Sequence, residues 1–178
     1  YMDNVLDPMH GAFLHRNSHS MFGGDTSARF RIRETDRGFF FEKTDQRGVN
    51  FDWVEFVRGS MDYVDLEIPY GPGAGPGGVF GIVGMSCPID RDTSAVFHWR
   101  TRRVSGWERE AWRFMYRTTL EEKHWVVLEQ DRMVLEVLAD DADREEHLYQ
   151  HDLGVSRIRR IYRADAVAQA KKLAEVNA

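Results

Sequence analysis

The chain has 178 residues, enough to bury one sizeable core, and its 42% hydrophobic and 30% charged composition is that of a globular protein, not a disordered or fibrous one. A net charge of -5, with arginines interleaved among acids and apolar residues, argues against a nucleic-acid partner. One cysteine, Cys87, excludes an internal disulfide or cysteine metal cluster, and neither a membrane-length apolar run nor a secretion signal is present, so a cytoplasmic setting away from membranes is expected.

Residues 2–16 predict a short helix whose regularity is in question at Pro8, which lacks a backbone donor, and at Gly11, which weakens helix interiors. The chain opens on Tyr1 rather than Met, close to its most unusual segment, so a further segment upstream is expected. From 28 to 104 the pattern is of strands: ARFRIRET, FFFEK, VNFDWVEFVR, DYVDLEIPY, GGVFGIVGMS and SAVFHWRTRRV. Several alternate apolar and polar residues, as half-buried antiparallel strands do, and Gly, Pro, Asp or Asn bounds each. GPGAGPGG at 71–78 lacks the Lys-Ser/Thr ending of a phosphate loop and its prolines remove donors, so it predicts a strand connection.

Residues 107–139 predict helix, with Trp125, Leu128, Leu135 and Leu138 as an apolar stripe. The acidic ADDADREE at 139–146 predicts a solvated loop. Residues 153–176 predict strand or loop leading into a final helix, with Arg157, Arg159, Arg160 and Arg163 exposed or over acidic neighbours. A helix, about six strands and then long helices form an α+β pattern, an antiparallel sheet with helices segregated to one face, in a single unit spanning 1–178.

The opening segment carries the strongest chemical signal. His10 and His15 are turned about 140° apart on a regular helix, so they converge only if the helix loosens, at Gly11 or through a π-type bulge. Asp7, three before His10, shares its face, and a carboxylate there can fix the imidazole tautomer. Asp131 lies three after Leu128 and four before Leu135, within the apolar stripe, where an ionised carboxylate is costly unless paired. It is either held by an arginine from the sheet, such as Arg100 or Arg102, or bound to a cation. Two imidazoles and one carboxylate make a facial triad suited to iron(II), leaving about three positions open. Zinc is the rival ion and offers no redox chemistry.

The pattern N-x-x-D-x-x-H-x-x-x-x-H in NVLDPMHGAFLH, followed by the distant LEQDRMVLE, resembles the catalytic domain of Rieske non-haem iron oxygenase alpha subunits. The likeness is to ring-hydroxylating and O-demethylating members such as vanillate O-demethylase. It extends through CPIDRDTSAVFHWRTRRVSGW and HLYQHDLGVSRIRR, nearly the whole chain. It implies that His10, His15 and Asp131 ligate mononuclear Fe(II), that Asp7 carries an electron in from a Rieske 2Fe-2S cluster of a neighbouring subunit, and that Asn4 lies close to the iron. It further implies a helix-grip (START-like) fold, a curved antiparallel sheet on a long helix around a hydrophobic cavity. The partners it implies are dioxygen, an aromatic or apolar small-molecule substrate, a reductase or ferredoxin, and a homotrimer. Two departures stand out. The Cys-x-His and Cys-x-x-His pairs that hold the cluster are not in these residues, and Gln130 replaces the family's frequent Glu before the distal Asp.

Trp53, Trp99, Trp107, Trp112, Trp125 and the Phe39–Phe41 run are either core or lining for an aromatic substrate, and His98 is a candidate to face a cavity. His19, His124, His147 and His151 have no suitably spaced partner and predict surface or structural roles. Cys87 predicts a small buried apolar residue, with no adjacent base to activate it. The alternatives to an oxygenase are a non-catalytic helix-grip module that binds a hydrophobic ligand, and a zinc hydrolase.

Overall fold

The computed structural model describes residues 1–17, 27–48, 51–70, 78–139 and 141–176. Six strands, β1 Phe30–Thr35, β2 Gly38–Lys43, β3 Trp53–Val57, β4 Tyr63–Tyr70, β5 Gly78–Pro88 and β6 Ser94–Thr101, form one antiparallel meander in chain order. Each strand pairs with the one before it, so the alternation of side chains fixes one face for the whole sheet. Two rows of paired residues cross that face: Ile32, Phe41, Val54, Leu66, Ile82 and Arg100, then Glu34, Phe39, Phe56, Val64, Gly84 and His98. Phe39, Phe41, Val54, Phe56 and Val64 are fully buried and form the centre of the core.

Helices cover this inner face. The amino end makes two short helices, α1 Met2–Val5 and α2 His10–Leu14, and Leu6 between them is fully buried. Beyond β6, α3 Trp107–Met115 runs through a π-helical turn, Tyr116–Leu120, into α4 Glu121–Leu135. This assembly docks on Phe80 of β5, whose ring stacks on Tyr116 at 6.1 Å and lies 5.0 Å from His124. After the single turn α5 Ala142–Glu145 comes α6 Leu153–Val176, which buries Val155, Ile158 and Ile161. Gly154 brings α6 close to the amino end: a Cβ there would meet the Leu6 carbonyl oxygen at 2.8 Å and the Phe41 ring at 3.2 Å. No helix among the described residues is long and apolar enough to cross a membrane.

Several expectations are corrected. The 2–16 helix is broken at Pro8, not loosened at Gly11, which is buried inside α2. The long helix regular to 139 stops at Leu135, and its inward face is His124, Val127, Leu128, Asp131 and Leu135. Trp125 and Leu138 lie off that face and are exposed. Residues from 153 are helical from the outset, because Val155, Ile158 and Ile161, spaced by three, bury against the sheet and override their local β preference. The expected 139–146 loop contains α5, and Glu146 pairs with Arg159. Among the tryptophans, Trp112 is buried toward Phe80, while Trp107 and Trp125 are exposed and Trp99 stacks on Phe97 on the outer face. Phe40 and Trp53 meet on that outer face as well, at 5.5 Å. Cys87 is half-buried rather than buried. His19 and residues 71–77 of the glycine-rich connection lie outside the described residues.

Candidate metal centre

Proline cannot donate a backbone hydrogen bond, and the chain turns around Asp7-Pro8 instead of continuing a helix. The Asp7 carboxylate accepts hydrogen bonds from the backbone N–H of Met9 (2.8 Å) and of His10 (3.2 Å), which starts α2 at His10. His15 sits just past the end of α2, with φ -105° and ψ 15°, outside helical values. This departure at the helix end, and not a bulge at Gly11, brings the two imidazoles together, edge to face with centroids 5.2 Å apart.

Asp131 reaches them from the inward face of α4. Its Oδ1 is 2.8 Å from His15 Nε2 and 3.6 Å from His10 Nε2, and accepts a hydrogen bond from Asn4 Nδ2 at 3.1 Å. Donors about 2.1 Å from an ion stand about 3 Å apart when cis, so these spacings suit a single bound cation. One ligand atom from each of the three residues lies within 4.8 Å of the other two.

The remaining ring nitrogens are tied down. His10 Nδ1 lies 2.7 Å from the Asp7 carbonyl oxygen, and His15 Nδ1 lies 2.9 Å from Gln130 Oε1. Each Nδ1–H donating to its oxygen leaves the Nε2 lone pair aimed at the common point, the tautomer a metal-ligating histidine needs. For His10 the partner is the main-chain carbonyl of Asp7 and not its carboxylate, whose nearer approach to Nδ1 is 3.7 Å. The expectation that the carboxylate fixes the tautomer is corrected: it is occupied with the backbone of Met9 and His10.

Burial pulls the His15 imidazole toward its neutral form, but hydrogen bonds to Asp131 and Gln130 together with the Asp131 charge outweigh it and raise its pKa. Without a cation, the 2.8 Å contact is a hydrogen bond between His15 Nε2 and the Asp131 carboxylate; with one, both atoms would become ligands. Neither arginine suggested for Asp131 holds it. Arg102 lies over the Trp112 ring at 3.8 Å and donates to the Val79 carbonyl, and the ion-pair partners of Asp131 among the described residues are His10 and His15.

A cleft of about 320 Å³ opens beside the triad, bounded by Asp7, His10, Asp131, Leu135, His147 and Arg159. Arg159 bridges Asp3 and Glu146, fastening α6 to the amino end. His124 is buried beside Phe80 and Tyr116, and His151 donates from Nε2 to the Ala28 carbonyl at 2.9 Å; both are structural. Gln130 is the site residue that periodicity misses. One position before Asp131 on a helix means a turn of about 100°, which assigns it to a different face. Comparison with family models, with curated proteins and with solved structures found no match to this chain.

Proposed function

We propose that the chain is the mononuclear iron domain of a Rieske-type oxygenase, which hydroxylates or oxidatively demethylates an aromatic or other apolar small molecule. One observation carries this reading: two histidines from the amino end and an aspartate 116 residues beyond the second turn three ligand atoms toward one point, with each Nδ1 engaged by an oxygen so that Nε2 faces that point. The sequence resemblance to the oxygenase family supports the same residues.

An iron(II) ion held here would supply the redox chemistry for dioxygen activation. The chain's own part is to supply three ligands and leave the other positions free. Asn4 and Gln130 orient Asp131 and His15. Asp7, on the cleft wall, would pass an electron toward the ion if a Rieske 2Fe-2S cluster of a neighbouring subunit in a homotrimer supplied one, itself fed by a reductase or ferredoxin. The antiparallel sheet with its long α6 is compatible with a helix-grip fold whose inner face receives the substrate.

A second reading is a helix-grip module that binds a hydrophobic ligand without catalysis. The 2.8 Å His15–Asp131 contact favours it, because a hydrogen bond between the two satisfies both groups with no ion. Anaerobic Fe(II) titration separates the two. The oxygenase reading expects one equivalent bound by the chain and lost in His10→Ala and Asp131→Ala; absence of stoichiometric uptake by the unmodified chain overturns it.

A further inference from the structure

The inner face of the sheet is apolar along four strands and then changes character at β6. The row through Phe41, Val54, Leu66 and Ile82 ends in Arg100, and the row through Phe39, Phe56, Val64 and Gly84 ends in His98. An arginine pointing to the covered side of a sheet normally has an acidic partner there. Arg100 has no ion-pair partner among the described residues, although it is only half exposed to solvent. Its charge is felt by Tyr1, His98 and Tyr116, which therefore share its surroundings, and the Asp131 charge acts on Tyr1 and His98 with the opposite sign.

Two further polar atoms are left over in the same place. His98 Nε2 and the Tyr1 hydroxyl are shielded from solvent and have no hydrogen-bond partner among the described residues. The two rings meet edge to face at 5.7 Å, and the Tyr1 hydroxyl lies where a Cβ on Gly84 would stand, so Tyr1 needs glycine at that position. Burial and the Arg100 charge push His98 down to about 4, and burial raises the Tyr1 phenol, so both are neutral at neutral pH; the phenol donates, and the imidazole donates from Nε2 when its proton sits there. Native structures rarely leave buried donors unsatisfied without a reason. A cleft of about 830 Å³, within the size range of small-molecule sites, reaches Tyr1 and Ser86, the next inward-facing position after Gly84 on β5.

We infer that Arg100, His98 Nε2 and the Tyr1 hydroxyl form an anion-holding wall on the inner face of the sheet that takes the carboxylate of a small aromatic acid. Residues two apart on a strand stand about 7 Å from each other on one face, so Arg100 and His98 can grip the two oxygens of one carboxylate. Ile82, Phe80 and Tyr116 offer apolar surface to the ring beside it. Tyr1 packs edge to face on His98, and its hydroxyl above Gly84 stands at the cleft edge of the wall, where it can donate to the bound carboxylate. The inference deepens the oxygenase reading and rests on it only for the meaning of the bound acid as substrate.

The test is equilibrium titration of the chain with benzoate and with benzyl alcohol, its neutral counterpart. Benzoate is expected to bind at least about tenfold tighter, from charge-assisted hydrogen bonds. Arg100→Met, with folding checked by circular dichroism, is expected to abolish that preference, Arg100→Lys to retain part of it, and His98→Phe to weaken it several-fold. Equal affinity for the two probes, no saturable benzoate binding, or a preference unchanged in both Arg100 variants overturns the inference. The same titration on His10→Ala keeps the two proposals apart. A preference that vanishes there but survives Arg100→Met means that the carboxylate sits on a metal, which sinks the wall and leaves the iron reading standing. An Arg100-dependent preference in a chain that takes up no iron does the reverse.

Discussion

His15 Nε2 and Asp131 Oδ1 approach to 2.8 Å although 116 residues separate them in the chain. The contact joins the end of α2 to the middle of α4, and the other polar groups nearby are arranged around it. Asp131→Asn retains the size of the side chain and its bond to Asn4 but removes the anionic ligand. Removing a group that only hydrogen-bonds to a metal ligand weakens binding by about 10- to 100-fold, so loss of a ligand itself is expected to cost at least about 100-fold in iron affinity, read by anaerobic titration.

Gln130 offers a sharper check, because its Oε1 accepts from the far nitrogen of His15 at 2.9 Å. Gln130→Ala is expected to weaken iron binding by about 10- to 100-fold, whereas Gln130→Glu, which keeps an acceptor oxygen, stays close to the unmodified chain. Equal losses in the two variants would mean that Gln130 acts by packing.

Asp7 has two separable jobs. Its carboxylate caps the start of α2, and Asn caps as well as Asp, so Asp7→Asn keeps stability while Asp7→Ala loses about 1 kcal/mol by thermal or urea unfolding. If Asp7 also carries electrons, Asp7→Asn keeps iron yet slows turnover severely in the oxygenase assembled with its cluster and reductase. Normal turnover in that variant removes the bridging role.

His98 gives a prediction in pH. Its pKa falls from 6.5 to about 4 in the folded protein, first through burial and then through Arg100, with Asp131 opposing. Folding therefore favours the neutral ring: the contribution is fully present above 6.5 and is lost as pH falls from there through about 4. Melting temperatures of the chain and of His98→Gln are expected to converge over that interval. A constant difference between the two would place the His98 pKa near its ordinary value.

Gly154→Ala tests the seam between α6 and the amino end. Its Cβ would stand 2.8 Å from the Leu6 carbonyl oxygen, a backbone atom that cannot swing aside. Overpacking of this kind costs about 1–3 kcal/mol, and iron affinity should fall with stability, because Leu6 leads directly into the ligand segment.

The strands were legible because each alternates and is bounded by turn residues, which is local information. That Asp131 needs a partner was legible because a carboxylate on an inward helix face is too costly to be left alone, but burial cost does not choose between an arginine and a cation; the grouping with His10 and His15 came from the resemblance of NVLDPMHGAFLH and LEQDRMVLE. How the histidines converge was not legible, since the dihedral angles at His15 depend on where α2 ends. The start of α6 was misread because its β-branched residues look strand-like until the sheet they bury against is known. Helical spacing alone puts Trp125 and Leu138 inward, but the tertiary packing of α4 selects His124, Val127 and Leu128 for that side, and the helix ends at Leu135, before Leu138.

Arg159, gripping Asp3 and Glu146 at once, anchors the last helix to the first and to the segment leading into it. The amino end is thus latched from behind by a guanidinium while its histidines look the other way, toward α4. Loosening that latch should let the first fifteen residues peel off as a unit, so amide exchange there would speed up together with loss of a bound ion, well before the sheet itself opens.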